Sequence, residues 1–167
     1  ARWQARTPLA QARSRHVAAL FNDEIFIFGG ENAQGQTLAT VEAYDLRFNF
    51  WRSLAPLPEP LANLAAAPLD GRIYVAGGSA AAPGMAGEIA ISDRVYALDP
   101  AAGTWQKIGT LPSPLAGASM VAAGDNLYVL GGWDGSAMHD EVWRARPRAD
   151  QPLHWELAAR LHAPAAF

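Results

Sequence analysis

The hexapeptide Ile25-Phe26-Ile27-Phe28-Gly29-Gly30 decides the fold, because an apolar run that ends in two glycines returns twice more in this 167-residue chain. A tryptophan lies 26 residues before the first glycine of each pair. The later glycine pairs are Gly77-Gly78 and Gly131-Gly132, and the three tryptophans are Trp3, Trp51 and Trp105. Fixed spacing of this kind is typical of a repeated structural unit, here with a period of 48, 54 and then about 50 residues.

Each repeat is predicted to form four short strands. In the first repeat, apolar segments cover 17–20, 25–28, 41–44 and 51–54, and Asn22-Asp23 supplies a turn between the first two. Similar turn residues recur at Asp70-Gly71 and Gly124-Asp125, where they indicate β-hairpins. Helix evidence is weak, since no stretch combines a sustained apolar period of 3.6 with helix caps. The sequence therefore predicts an all-β protein.

Most of the length variation between repeats falls after the glycine pairs, in the segments 31–40, 79–92 and 133–139. Surface loops tolerate insertions, whereas the strands of a repeat do not. In a four-stranded meander these loops and the connections between repeats open at the same end of the strands. We call this end the loop face.

The composition excludes several classes of protein. The chain has no cysteine, so disulfide frameworks, thiolate metal sites and cysteine catalysis are absent. The net charge of −3 gives no basic field for nucleic acid, and the longest uncharged stretch, 108–124, is interrupted by Pro112 and Pro114, which argues against membrane insertion. The glycine pairs lack the Lys-Ser/Thr and the helix of a phosphate loop. The histidines show no short spacing typical of a metal site, and we predict no cofactor.

The repeats resemble the kelch family over essentially the whole chain. The resemblance rests on four motifs of the first repeat and its border. These are Arg13-x-x-His16, Val41-Glu42-x-Tyr44-Asp45, Trp51-x-x-Leu54 and Leu57-Pro58-x-Pro60, beside the glycine pairs. The resemblance implies a kelch-type β-propeller with three four-stranded antiparallel blades, as a partial or self-assembling ring. The absence of cysteine excludes the copper oxidase chemistry of galactose oxidase, which is built on this kind of propeller.

The predicted organisation is a single propeller segment. Blade 1 covers 13–60, blade 2 covers 61–114 and blade 3 covers 115–160. Residues 1–12 are expected to form the outer strand of a preceding blade and a linker, with the strand at Trp3 to Ala5, and 161–167 to lead into a next blade. Three blades do not close a ring, since propellers need four to eight. We therefore expect further blades in the same chain or a homo-oligomer.

The candidate binding residues lie near the loop face, where the resemblance implies that kelch proteins bind their partners. They are Arg13, Arg15, Asn63, Trp133, Asp134 and His139. Arginine offers a fork of donors that suits a carboxylate or a sulfate. In the alternative interpretation, Arg13 and Arg15 solvate a strand end, or Arg13 pairs with a scaffold carboxylate. Trp51 and Trp105 are expected to be largely buried between blades.

The function indicated by these observations is a binding or interaction scaffold, whose partner is a protein or a small carbohydrate or anionic ligand. Two alternatives stay open. One is part of a sugar-handling enzyme resembling N-acetylneuraminate epimerase, although no nucleophile or acid–base motif identifies catalytic residues. The other is a half-propeller with a structural role in assembly. The lack of cysteine suits oxidising and reducing compartments alike, and a periplasmic or secreted location is slightly favoured over a cytoplasmic one.

Overall fold

A computed structural model describes residues 2–81, 88–149 and 151–166. It contains fourteen strands in this described part of the chain, and every one is short. The strands are β1 (Val17–Phe21), β2 (Glu24–Phe28), β3 (Val41–Asp45), β4 (Phe50–Ser53), β5 (Ala65–Leu69), β6 (Arg72–Ala76), β7 (Ser79–Ala81), β8 (Ile89–Ile91), β9 (Arg94–Asp99), β10 (Thr104–Thr110), β11 (Ser119–Ala123), β12 (Asn126–Leu130), β13 (Glu141–Ala145) and β14 (Trp155–Arg160).

The strands form three four-stranded antiparallel sheets, in the orders β1-β2-β3-β4, β5-β6-β9-β10 and β11-β12-β13-β14. Each glycine pair directly follows the second strand of its sheet. The prediction of an all-β fold with three four-stranded blades is therefore confirmed. The strands β7 and β8 form an extra two-stranded ribbon in the loop of blade 2. No pattern in the sequence predicted this ribbon, and part of that loop, 82–87, lies outside the described residues.

In the described part of the chain the hydrophobic core consists of two layers, each enclosed between neighbouring blades. The second strand of blade 2 serves both layers, because alternate side chains of a strand point to opposite faces. Ile73 and Val75 pack with Phe26 and Phe28 of blade 1. Tyr74, one residue along, packs on the other side with residues of blade 3. This double burial explains why the second strands are continuous apolar runs.

The repeated tryptophans join each blade to the connection that precedes it. The indole Nε1 of Trp105 donates to Ala55 O at 3.0 Å, and its ring lies 6.0 Å from Phe28 of blade 1 in an edge-on arrangement. Trp51 and Trp155 make the equivalent bonds to Thr7 O and Thr110 O, each at 2.9 Å. All three tryptophans are half-buried, and Trp105 and Trp155 pack against the core layers between blades.

The segment that follows blade 3 occupies the position at which one blade enters the next. Gly30 N donates to Leu61 O and Gly78 N donates to Leu115 O, at the entrances to blades 2 and 3. Gly132 N donates in the same way to Ala165 O at 2.6 Å. Residues 161–166 therefore follow the path of a blade entrance.

The N-terminal segment does not form the strand expected at Trp3 to Ala5. A strand needs a neighbour to accept its backbone hydrogen bonds, and the described residues hold no third strand of a preceding blade that could pair with this segment. Thr7 instead hydrogen-bonds Asn49, and Trp3 is fully exposed. Ala1 and Phe167, the outermost residues of the predicted segments, lie outside the described residues.

Candidate functional site

Three residues at one structural position form a row across the blades on the loop face. Arg15, Asn63 and Gly117 each lie just before the innermost strand of their blade and have positive φ values of 55°, 53° and 64°. Asn63 N donates to Arg15 O, and Gly117 N donates to Asn63 O, both at 2.8 Å. The left-handed backbone is unusual for Arg, and this hydrogen-bonded row holds it in place.

A second row lies beside the first and starts directly after the glycine pairs. Its members are Glu31, Ser79 and Trp133, which form isolated β-bridges with the segments just before the innermost strands. Arg15 Nη1 lies 3.2 Å from Glu31 Oε1, and Asn63 Nδ2 donates to Ser79 Oγ at 3.0 Å. The third blade has Gly117 opposite Trp133, with no side chain at the glycine. The row thus changes from a charged pair to a neutral polar pair and then to an aromatic ring.

A cleft of about 450 Å³ runs beside these rows along the innermost strands of all three blades. Arg15 and Asn63 line it, together with His16 and residues of β11. Desolvation lowers the pKa of His16, and the nearby Arg13 charge lowers it further. His16 is therefore neutral at pH 7, and the Arg15 guanidinium, with 57% of its side chain exposed, supplies the positive charge at the cleft.

Arg13 is separated from this surface. Only 1% of its side chain is exposed, and its Nη2 lies 2.5 Å from the carboxylate Oε2 of Glu42, which is itself 8% exposed. Arg13 Nη1 also donates to Gly29 O at 3.1 Å. The structure therefore supports the alternative interpretation of Arg13 as a scaffold ion pair, and we do not count it among the ligand-facing groups.

Asp134 and His139 organise the loop that carries Trp133. Asp134 Oδ1 accepts from Ser136 N and Ala137 N, both at 2.7 Å, which closes a tight turn. Its other oxygen lies 2.9 Å from His139 Nε2, while His139 Nδ1 lies 3.0 Å from Glu141 Oε2. A neutral imidazole has one N–H, so two carboxylate neighbours favour the doubly protonated ring.

The pKa values of this loop follow its geometry. Hydrogen bonds, first from Ala137 N and then from His139, hold the pKa of Asp134 well below its usual range. The bond to Asp134 raises the pKa of His139, and the contact with Glu141 adds to the effect. His139 therefore acts within the protein as an anchor of the loop.

Of the residues predicted to bind a ligand, Arg15 and Asn63 hold the same position in the first row, Trp133 lies in the second row beside them, and Asp134 and His139 brace the Trp133 loop. Sequence reasoning missed Glu31 and Ser79. A signal was present, because both hold the position after Gly-Gly that Trp133 holds in blade 3. No group of three His, Asp or Glu residues suited to a metal ion occurs among the residues that the structure describes. That same part of the chain has no helix long and apolar enough to cross a membrane.

The contacts of His139 with Asp134 and Glu141 predict that the stability of the protein depends on pH. The raised pKa means that its contribution to stability is fully present below the ordinary histidine pKa of 6.5 and is lost as the pH rises through the folded-state pKa. We expect an NMR titration to give His139 a pKa above 6.5 that falls in Asp134→Asn. The pKa of His16 shifts in the opposite direction. The contribution of His139 is therefore measured as the difference in unfolding free energy between the wild type and His139→Gln at each pH. A His139 pKa below 6.5 would contradict a stabilising contact between the protonated ring and the two carboxylates.

Four-stranded antiparallel blades that pack face to face define the β-propeller class of proteins. In this chain, the second glycine of each pair also donates a hydrogen bond to the segment that enters the next blade. A family profile described as the KLHDC2/KLHL20/DRC7 Kelch-repeats domain matches residues 1–159. The chain belongs to the kelch-repeat family.

Similar proteins come from animals and fungi. The chain is 34% identical over 130 residues to Beta-scruin of Limulus polyphemus, a match that covers 78% of this chain and 14% of that protein. It is 29% identical over 163 residues to Kelch-like protein 35 of Mus musculus, which covers 97% of this chain and 26% of that protein. It is 32% identical over 126 residues to Kelch-like protein terF of Aspergillus terreus, which covers 72% of this chain and 27% of that protein.

The fold is also similar to a solved structure, that of YjhT. The TM-score is 0.82 with 21% sequence identity, and the match covers 99% of this chain and 57% of that one. The chain thus spans about a quarter or less of the length of these named relatives and a little over half of this structure.

Proposed function

We propose that the chain is a kelch-repeat interaction scaffold that binds a protein or an anionic or carbohydrate ligand on its loop face. The observation that carries the proposal is the pair of neighbouring rows: Arg15 and Asn63 of the first row line one cleft, and Trp133 belongs to the second row beside it. Arginine and tryptophan are enriched among the residues that dominate binding energy. The family supports the general role of a scaffold, and the residue assignment rests on the geometry of the rows.

Direct binding tests this proposal. The protein would be screened against arrays of peptides and of glycans, and each hit measured by calorimetry with purified variants. We expect Arg15→Ala and Trp133→Ala to weaken binding about tenfold or more, the effect of losing one dominant contact. Arg47→Ala is the matched control, because it removes one exposed, ion-paired arginine at the opposite end of blade 1.

Two results would contradict the scaffold proposal. One is a set of hits that bind Arg15→Ala, Trp133→Ala and the control equally well. The other is catalysed sugar anomerisation in an NMR assay with N-acetylneuraminate and common hexoses, which would favour the enzyme alternative. Unchanged melting temperatures in the variants would show that a loss of binding is local.

We also propose that these blades function within a larger ring, formed with further blades of the same chain or with another copy. Residues 161–166 support this, since they follow the path of a blade entrance. Trp3 supports it as well, because it is fully exposed whereas the tryptophans at the same repeat position are half-buried and hydrogen-bonded to a preceding segment. Light scattering should show self-association of the isolated 17.8 kDa polypeptide. A compact monomer that stays stable at high concentration would contradict this proposal.

A further inference from the structure

A second cleft opens on the hairpin face, the end of the blades that carries the turns 22–23, 70–71 and 124–125. It lies between blades 2 and 3 and has a volume of about 210 Å³. Ile108 and Leu153 give it an apolar surface, while Arg72, Tyr74 and Arg148 bring polar groups to it. This cleft is at the opposite end from the loop face and is independent of the proposed scaffold site.

The two arginines of this cleft differ from the other arginines of the blades. Among the described residues, eight arginines form ion pairs with carboxylates. Arg72 and Arg148 have no ion pair among the described residues, and the remaining two arginines belong to the exposed N-terminal segment. Both blade arginines without an ion pair in the described part therefore line the same cleft.

The repeat explains why Arg72 has no partner in its own sheet. In blade 1, Glu24 begins the second strand and accepts two hydrogen bonds from Arg52, at 2.9 and 2.7 Å. The corresponding positions of blade 2 hold Arg72 and Gln106. The acid is replaced by a base and the base by a neutral amide, which leaves the Arg72 guanidinium available to a ligand.

Tyr74 adds a hydroxyl group at the cleft beside the two arginines. Only 5% of this residue is exposed, and it lines the cleft, yet its hydroxyl has no hydrogen-bond partner among the described residues. Desolvation by burial raises the pKa of Tyr74, so the hydroxyl keeps its proton. The same position in blade 1 is Phe26, which packs in the core without a hydroxyl. The hydroxyl reaches solvent at the cleft, where a ligand can accept its hydrogen bond without displacing a protein partner.

We propose that this cleft binds an oxyanion, a phosphoryl or carboxylate group, carried on a small apolar moiety. Arg72, Arg148 and the Tyr74 hydroxyl would donate to the oxyanion, while Ile108 and Leu153 would pack against the apolar part. Asp70 also lines the cleft, so the lining side chains sum to about one positive charge. This sum favours a small anion of one or two charges over a polyanion. Lys107 lies in an adjoining depression with both arginines and adds to the positive field.

Calorimetric titration of the intact protein with phenyl phosphate and with phenylacetate tests the proposal. We expect saturable binding of at least one probe, weakened about tenfold or more by Arg72→Gln through loss of a charge-assisted hydrogen bond. Tyr74→Phe keeps the ring and should weaken binding about fivefold. Asp70→Asn removes the opposing charge and should strengthen it.

Arg47→Gln is the control, because Arg47 lies on the same face, is 72% exposed and pairs with Asp23. Binding in this variant should equal that of the wild type. Comparison of the two probes distinguishes a phosphoryl from a carboxylate ligand. Two outcomes would overturn the proposal: no saturable binding of either probe to the folded wild type, or equal weakening in Arg47→Gln and Arg72→Gln. Circular dichroism and thermal midpoints identify any variant that fails to fold, and Tyr74→Phe then carries the test.

Discussion

Gly77→Ala will destabilise the chain by about 3 kcal/mol or more, which is in the upper range for a single substitution. A Cβ atom at this position would lie 2.2 Å from the carbonyl oxygen of Leu115 and 3.3 Å from its carbonyl carbon. That carbonyl already accepts a hydrogen bond from Gly78 N at 2.8 Å, so it is held close to the glycine pair. The contact joins blade 2 to blade 3, and blade 3 must move if the alanine is to fit.

Gly71→Ala separates this close approach from the cost of backbone strain. Gly71 has a φ of +76°, comparable to the +64° of Gly77, but no atom lies within 4 Å of the position that a Cβ would take there. We expect Gly71→Ala to cost only about 1–2 kcal/mol, the penalty for a side chain in the left-handed region. Chemical denaturation of the two variants measures the difference. Equal losses would show that the contact with Leu115 contributes nothing.

The same glycine geometry explains why the fold could be predicted from one sequence. At Gly29, Gly77 and Gly131, a Cβ atom would lie only about 2 Å from a carbonyl oxygen of the segment that enters the next blade. No other residue fits, so the pair recurs at fixed spacing and marks the end of each second strand. Elements that repeat for a steric reason leave a periodic signal. The β7–β8 ribbon occurs in one blade only among the described residues, so the sequence offers no second copy with which to compare it.

The candidate site was less predictable, because it depends on side chains that meet across long sequence separations. Arg13 occupies the position that Leu61 and Leu115 hold in the other blades, and nothing near it in sequence shows where its guanidinium lies. One signal was available in β3. Glu42 stands at the position that Tyr96 holds in blade 2, and a carboxylate at a buried aromatic position indicates a cationic partner.

Arg13→Leu will cost about 3–5 kcal/mol at pH 7, the usual loss when one member of a buried ion pair is removed. The reason is the charge that remains, since Glu42 is 8% exposed and would lose the guanidinium 2.5 Å away. The carbonyl of Gly29 would lose a hydrogen bond as well. The free energy of unfolding, from denaturant titration of the isolated chain, is the quantity to measure.

The double variant Arg13→Leu/Glu42→Tyr gives this prediction its control, because blade 2 holds Leu61 and Tyr96 at the same two positions. Apolar replacement of both members of a buried ion pair is often neutral or stabilising, so we expect a loss below about 1 kcal/mol. The double variant should therefore be more stable than either single variant, a coupling that independent sites do not show. A double variant as unstable as the sum of the two singles would mean that Arg13 and Glu42 act separately. Because the ion pair is a scaffold element, loop-face binding measured with Arg15 intact should also survive in the double variant.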